Sequence, residues 1–274
     1  MKKITAALAL IMMAGSAFAA KINQSSPAVK LIDQVSKGQL VVKQVFPATA
    51  NLEGFVVQPK QGGREAVLFA DKPGRYVIAG NVLTAKGQNL TEQATKTYIQ
   101  AKVAKKAYAE AEAQHWINQG SDKAPHKAYI IIDPNCIFCH MLFEEIEPMI
   151  KSGDLQVRWI PAGFLKPSSP GKAASIMLAK TDQDRVKALF NDEHHFNKKA
   201  EEGGAKDLKP DPKNKAVTQA FAAVKANTEF FSKFGFQGTP TILYRTANGE
   251  PAVYPGYLNG SALKQLVAKM NAKW

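Results

Sequence analysis

Ala128-Tyr129-Ile130-Ile131-Ile132-Asp133-Pro134-Asn135-Cys136-Ile137-Phe138-Cys139-His140 is the stretch on which the reading of this chain turns. Its first five residues are a β-prone run without a polar break, which predicts a central strand buried on both faces. After the turn residues Asp133-Pro134-Asn135 and the cysteines comes an amphipathic segment. Met141, Leu142, Ile146, Met149 and Ile150 share its inner face, and Glu144, Glu145 and Glu147 its outer one, the periodicity of a helix. The order is strand, CxxC, helix. A cysteine at the first turn of a helix meets the positive end of the macrodipole and unpaired N–H groups, which favour the thiolate. Cys136 is therefore the expected nucleophile. Cys139, one turn later on the same side and deeper, lies within bridging reach and resolves the mixed disulfide.

These are the chain's two cysteines. Unpaired thiols are hazards in an oxidising compartment, so an exported chain holding one CxxC pair has kept it for the pairing, as a redox-active Cys136–Cys139 disulfide. A bridge closing so short a loop constrains little of the unfolded chain, which argues against a purely stabilising role. Export is itself predicted. Lys2-Lys3 precede an apolar run over 4–15, then Ala17-Phe18-Ala19 supplies a small-x-small pattern, so a signal peptide spanning 1–19 is expected to be cleaved near Ala20. The apolar run is shorter than the roughly 20 residues a bilayer core requires.

Toward the C-terminus a second strand is expected at 155–160, then mostly helix over 171–234, interrupted at 197–215 by a segment rich in Lys, Gly and Pro. Thr239-Pro240 introduces a strand at 241–244, Asn248-Gly249 a turn, and a strand at 252–254 and a helix at 261–272 follow. A Pro just before a strand cannot donate to the ladder. A cis peptide there would leave the Thr239 backbone free to pair with an extended substrate, which makes Thr239 and Pro240 the substrate-binding candidates.

Toward the N-terminus, Val29, Leu31, Ile32 and Val35 mark a short helix over 27–37, stopped by Gly38. Four strands follow at 40–46, 54–58, 65–70 and 75–83, separated by tight turns, and imply an antiparallel sheet. A unit of this size, 20–90, has a small core and gains from pairing with a second copy. Between the two units, 91–118 lacks Pro and Gly and predicts a long helix, capped by Asn89 with Glu92 and stopped at Gly120. Its apolar residues are sparse, so it is read as a connecting strut of roughly 40 Å.

Of 274 residues, 45% are hydrophobic and 22% charged, which excludes disordered and disulfide-dense classes. The formal charge of +13 is spread along the chain, with Lys198-Lys199 followed by Glu201-Glu202, so no basic stripe for nucleic acid is present. His194-His195 beside Asp192 and Glu193 lacks a second ligand pair at fixed spacing and reads as a solvated loop, not a metal site. His140 is expected to stand exposed or partly exposed on the active-site helix, tuning thiolate charge through its own titration. Asp133 reads as a turn residue that could cap the helix or accept a proton near Cys139. The alternative is a c-type haem carrier, since Cys136-x-x-Cys139-His140 fits that attachment motif. Such a motif has no need of a preceding buried strand or of the later Thr-Pro strand, so no cofactor is expected.

Strand, CxxC, helix, helical insertion and the Gly238-Thr239-Pro240 loop together resemble a thioredoxin-like catalytic domain. With the small N-terminal sheet and long linker helix in front, the chain resembles the periplasmic DsbC/DsbG thiol:disulfide interchange family. Gln114-His115-Trp116 and Phe164-Leu165-Lys166-Pro167-Ser168-Ser169-Pro170 point to its DsbG branch. The resemblance implies an α/β (α+β) chain: a cystatin-like α+β dimerisation domain at 20–90, a linker helix at 91–120 and the catalytic domain at 121–274. It further implies a V-shaped homodimer with sites facing a shared cleft, protein substrates with disulfides or oxidised cysteines, a membrane reductase of the DsbD type as partner, and chaperone capacity. Ile137 stands where these proteins usually have Pro.

Overall fold

The computed structural model describes residues 22–274, so the expected signal peptide and its cleavage site lie outside the described residues. Two compact units divide between Thr95 and Lys96.

In the first, Pro27 opens helix α1 (Pro27–Val35), where its missing N–H and preset φ cost nothing. Gly38, at φ 68°, turns the chain into an antiparallel sheet ordered β1 (Leu40–Pro47), β2 (Leu52–Pro59), β3 (Ala66–Asp71) and β4 (Val77–Ile78). Helix α1 buries Ala28, Val29 and Ile32 against Val42, Phe55, Val57, Leu68 and Ala70. The strand expected at 75–83 shrinks to two residues because side chains capture its backbone. The Asp71 carboxylate accepts the Arg75 and Tyr76 N–H groups at 2.7 and 2.8 Å. Beyond Ile78, the Thr91 hydroxyl accepts from Val82 N–H and donates to the Gly80 carbonyl.

The helical run after Asn89 comprises α2 (Leu90–Ala94), a π-helical turn (Thr95–Gln100) and α3 (Ala101–Ala111). The Asn89 side chain caps it by accepting from Glu92 N–H at 3.1 Å. The helix expected to reach 118 ends at Ala111, and it is no bare strut. Ala107, Tyr108 and Ala111 belong to the second unit and pack with its Tyr129, Ile131, Ile160 and Leu243. The chain beyond is caught by a remote side chain: Asn227 accepts from His115 N–H at 3.1 Å and donates to its carbonyl at 2.8 Å. Residues 117–119 then extend as a strand.

In the second unit a five-stranded sheet runs in the order β5 (Ile117–Gln119), β7 (Leu155–Pro161), β6 (His126–Ile132), β8 (Thr241–Arg245), β9 (Pro251–Pro255). Strands β6 and β7 are parallel and the other pairs antiparallel. The central β6 is buried on both faces, as its unbroken apolar run predicts: Ala128, Ile130 and Ile132 face one core cluster, Tyr129 and Ile131 the other. The crossover between β6 and β7 is helix α4 (Ile137–Ser152), which carries the cysteines. Between β7 and β8 lie α5 (Ser169–Met177), α6 (Asp182–His194) and α7 (Lys215–Lys233). The final helix, α8, is shorter than expected, Gly260–Val267. Its continuation is diverted when Asn271 N–H bonds the Arg245 carbonyl and Lys127 N–H bonds the Asn271 carbonyl.

Candidate active site

Cys136 is the N-cap of α4, with extended backbone (φ −93°, ψ 109°) and a side chain that accepts the Cys139 N–H at 3.1 Å. Its thiol also donates to the Thr239 carbonyl at 3.2 Å. The Thr239-Pro240 bond is cis, and this loop closes over the sulfur immediately before β8. Sequence reasoning left the Thr239 backbone free for substrate; with both thiols reduced its carbonyl is occupied by Cys136. The two cysteines are buried, Cys139 more deeply.

Their environments push the thiols in opposite directions. The Cys136 thiol is lowered, first by hydrogen bonding from the Cys139 side chain, with further help from Thr239 and the Cys139 amide, against the cost of burial and the Asp133 carboxylate. The Cys139 thiol is pushed well above the ordinary value, first by burial and then by its hydrogen bond to Cys136. Interacting thiols titrate as a pair. The geometry assigns the first proton lost to Cys136, because only that sulfur caps the N-terminus of α4.

Asp133 is no ordinary turn residue. It is 1% exposed and accepts four hydrogen bonds: Oδ1 from Asn135 N–H at 2.9 Å and Ser169 Oγ at 2.7 Å, Oδ2 from Phe164 N–H at 2.8 Å and Leu165 N–H at 3.0 Å. A carboxylate so surrounded is an acceptor that ties the loop after β7 to the loop before Cys136. The 164–170 motif thus lies folded around the approach to the cysteines.

His140 overturns its expectation more fully. It is buried, 5% exposed, with Nδ1–H donating to Glu193 Oε2 at 2.9 Å, Nε2 facing Glu144 Oε1 at 3.4 Å, and its ring stacked on Phe196 at 4.6 Å. An exposed position on α4 was expected because helix periodicity alone does not reveal that the insertion covers that face. The expected solvated loop at 192–195 is also corrected. Helix α6 continues through His194, and while His194 and His195 are exposed, Asp192 and Glu193 are buried at 0% and 4% exposure. Burial raises the Glu193 carboxyl, and burial followed by the neighbouring Glu193 charge pushes Asp192 up to about 7. No cluster suited to a metal ion occurs among the described residues.

Three further residues escaped sequence reasoning: Asn135, Ser169 and Lys172, all buried beside the CxxC loop. Lys172 had one signal, a lone cation inside the small-residue helix Ser169–Met177.

A match to the thioredoxin-like domain family covers residues 113–271. The thiol:disulfide interchange protein DsbG of Pseudomonas aeruginosa is 30% identical over 204 residues, 74% of this chain and 74% of its own length. That of Escherichia coli is 27% identical over 213 residues, 78% of this chain and 80% of its own. This chain belongs to the DsbC/DsbG family of thiol:disulfide interchange proteins. Among solved structures, Helicobacter pylori DsbG matches 79% of this chain and 98% of its own, with 16% identity and a TM-score of 0.41. Membership of the DsbC/DsbG family makes the chain a thiol:disulfide oxidoreductase on a mixed α/β, thioredoxin-like fold with a helical insertion. The haem alternative finds no support. The histidine such a cofactor would need as axial ligand is turned inward between two carboxylates.

Proposed function

We propose that this chain acts in the periplasm as a disulfide isomerase and reductase for exported proteins, with Cys136 attacking and Cys139 resolving. The observation that carries the assignment is the Cys136 sulfur at the N-cap of α4, 3.1 Å from the Cys139 amide, while Cys139 lies deeper, where burial pushes its thiol above the ordinary value. The Cys136 thiolate attacks one sulfur of a substrate disulfide, forming a mixed disulfide and expelling the other substrate sulfur as thiolate. In isomerisation that thiolate attacks a different substrate disulfide, and a substrate thiolate finally releases Cys136. In reduction Cys139 loses its proton and attacks the Cys136 sulfur, the second substrate sulfur leaves, and the two electrons of the dithiol have passed to the substrate. A membrane reductase of the DsbD type returns them. Thr239 and Pro240 dock the substrate strand, whose backbone replaces the Cys136 thiol at the Thr239 carbonyl.

Periplasmic location is supported by the signal-like segment, and among the described residues no helix is long and apolar enough to cross a membrane. Homodimerisation through residues 20–90 is supported by the small core of that unit and the exposed Val41 on its edge strand β1. The deciding experiment expresses Cys139→Ser in the native compartment. It should accumulate mixed disulfides with exported proteins through Cys136, and Cys136→Ser should accumulate none. Equal trapping by both variants contradicts the assignment.

A further inference from the structure

Asn135, the residue before the nucleophile, is 3% exposed and has every polar position filled. Its Nδ2 donates to Ser168 Oγ at 3.0 Å and Ser169 Oγ at 2.9 Å; its Oδ1 accepts from Lys172 Nζ at 3.1 Å and Gly203 N–H at 3.2 Å. Two donors and two lone pairs are all an amide side chain has. Lys172, 6% exposed, also donates to the Gly203 carbonyl at 2.7 Å, with Glu202 Oε2 at 3.7 Å. One ammonium thus bonds both the residue before Cys136 and a turn 68 residues further along the chain from Asn135.

Gly203 is where that turn touches the redox loop. A Cβ there would fall 2.3 Å from the Pro134 carbonyl oxygen and 2.3 Å from Asp192 Oδ1, so only glycine permits the approach. The turn is gripped from behind by Asp192, which accepts Gly204 N–H through its carbonyl at 2.9 Å and Ala205 N–H through Oδ1 at 2.6 Å. Space filling alone would be better served by an apolar side chain, since burying an ammonium costs desolvation free energy that its partners must offset. A buried cation with directed partners on both sides indicates that geometry is being held.

We propose that Lys172, Asn135 and the Gly203 turn of the helical insertion are positioning residues for Cys136, fixing its extended N-cap backbone so that its sulfur stays on the Cys139 amide. The insertion is thereby part of the redox machinery. The inference rests on Cys136 being the attacking thiol. If the clamp is loosened, the sulfur drifts from the amide that stabilises its charged form, and the thiolate becomes harder to form.

The test is the rate of iodoacetamide modification of Cys136 and Cys139 against pH, read by peptide mass spectrometry on the reduced full chain. Wild type is compared with Lys172→Met, Gly203→Ala and Asn135→Ala. Gly203→Ala keeps every charge, so a shift in it reports position and not lost electrostatics. In wild type Cys136 should react well ahead of Cys139. In each folded variant the Cys136 midpoint should move toward the free-thiol value of about 8.5, with its rate at pH 6 falling at least threefold. Leu266→Ala, a core truncation on α8, serves as the control: it should lower thermal stability and leave the Cys136 profile in place. Should one variant fail to fold, either of the others reads the same profile. Folded variants with a wild-type profile overturn the positioning role while leaving the nucleophile assignment intact. Cys139 reacting first in wild type overturns that assignment and this inference with it.

Discussion

Asp192→Asn should make the catalytic unit more stable relative to wild type as pH rises from about 4 to 8. The Asp192 carboxyl is fully buried, its Oδ2 has no hydrogen-bond partner among the described residues, and Glu193 lies beside it, so ionisation is opposed and its pKa rises from 3.8 to about 7. A carboxyl raised on folding binds a proton that the unfolded chain has already released. The stability this proton contributes is complete below the unfolded value and is lost as pH climbs through the window to about 7. At about 1.4 kcal/mol per pH unit, the window corresponds to roughly 4 kcal/mol. The amide introduced by the substitution carries no such titration yet keeps an oxygen to accept the Ala205 N–H. Urea unfolding of both proteins at pH 4.5, 6, 7 and 8 would measure it. All three tryptophans, at 116, 159 and 274, lie in the second unit, so fluorescence follows that unit alone. Stability curves for the two proteins that run parallel across the window would refute the reasoning.

Removing the buried His140–Glu193 hydrogen bond by His140→Phe should cost about 1–3 kcal/mol, because a buried Glu193 oxygen is left without its partner, and His140→Phe with Glu193→Leu should recover part of it. A double-mutant cycle from urea midpoints gives the coupling, and simple additivity would dissolve the pair. Arg158 lies between the Trp116 and Trp274 rings, at 4.1 and 4.0 Å from their centroids, and donates to Tyr129 Oη at 2.7 Å and to Glu112. Arg158→Ala should destabilise by about 2 kcal/mol and shift tryptophan emission to the red; an unchanged spectrum would show that the sandwich does not form. Sedimentation equilibrium should find the chain from Ala20 dimeric at micromolar concentration and the second unit alone, 96–274, monomeric. A monomeric full chain would remove the dimerisation role from residues 20–90.

The features readable along the chain are those that rest on neighbours. An unbroken apolar run from Ala128 to Ile132 demands burial on both faces, CxxC at the mouth of an amphipathic helix demands a thiol at its N-terminus, and Thr239-Pro240 ahead of a β-prone run marks a strand entrance. Each depends on a spacing within a dozen residues, so the central strand, the redox pair and the loop opposite it were all foreshadowed. Partners remote in sequence decided the rest. Asn227 stops the linker helix by taking the backbone of His115, Thr91 draws the chain after Ile78 away from the sheet, and Gly203 meets Pro134 across the insertion. His140, Lys172, Asp192 and Glu193 look like surface residues in a linear reading because charge and helical periodicity place them there. Folding buries them all the same, since each gains at least one partner that only the closed tertiary structure brings within reach, and where a carboxylate oxygen is left without one, as at Asp192 Oδ2, burial opposes the charged form.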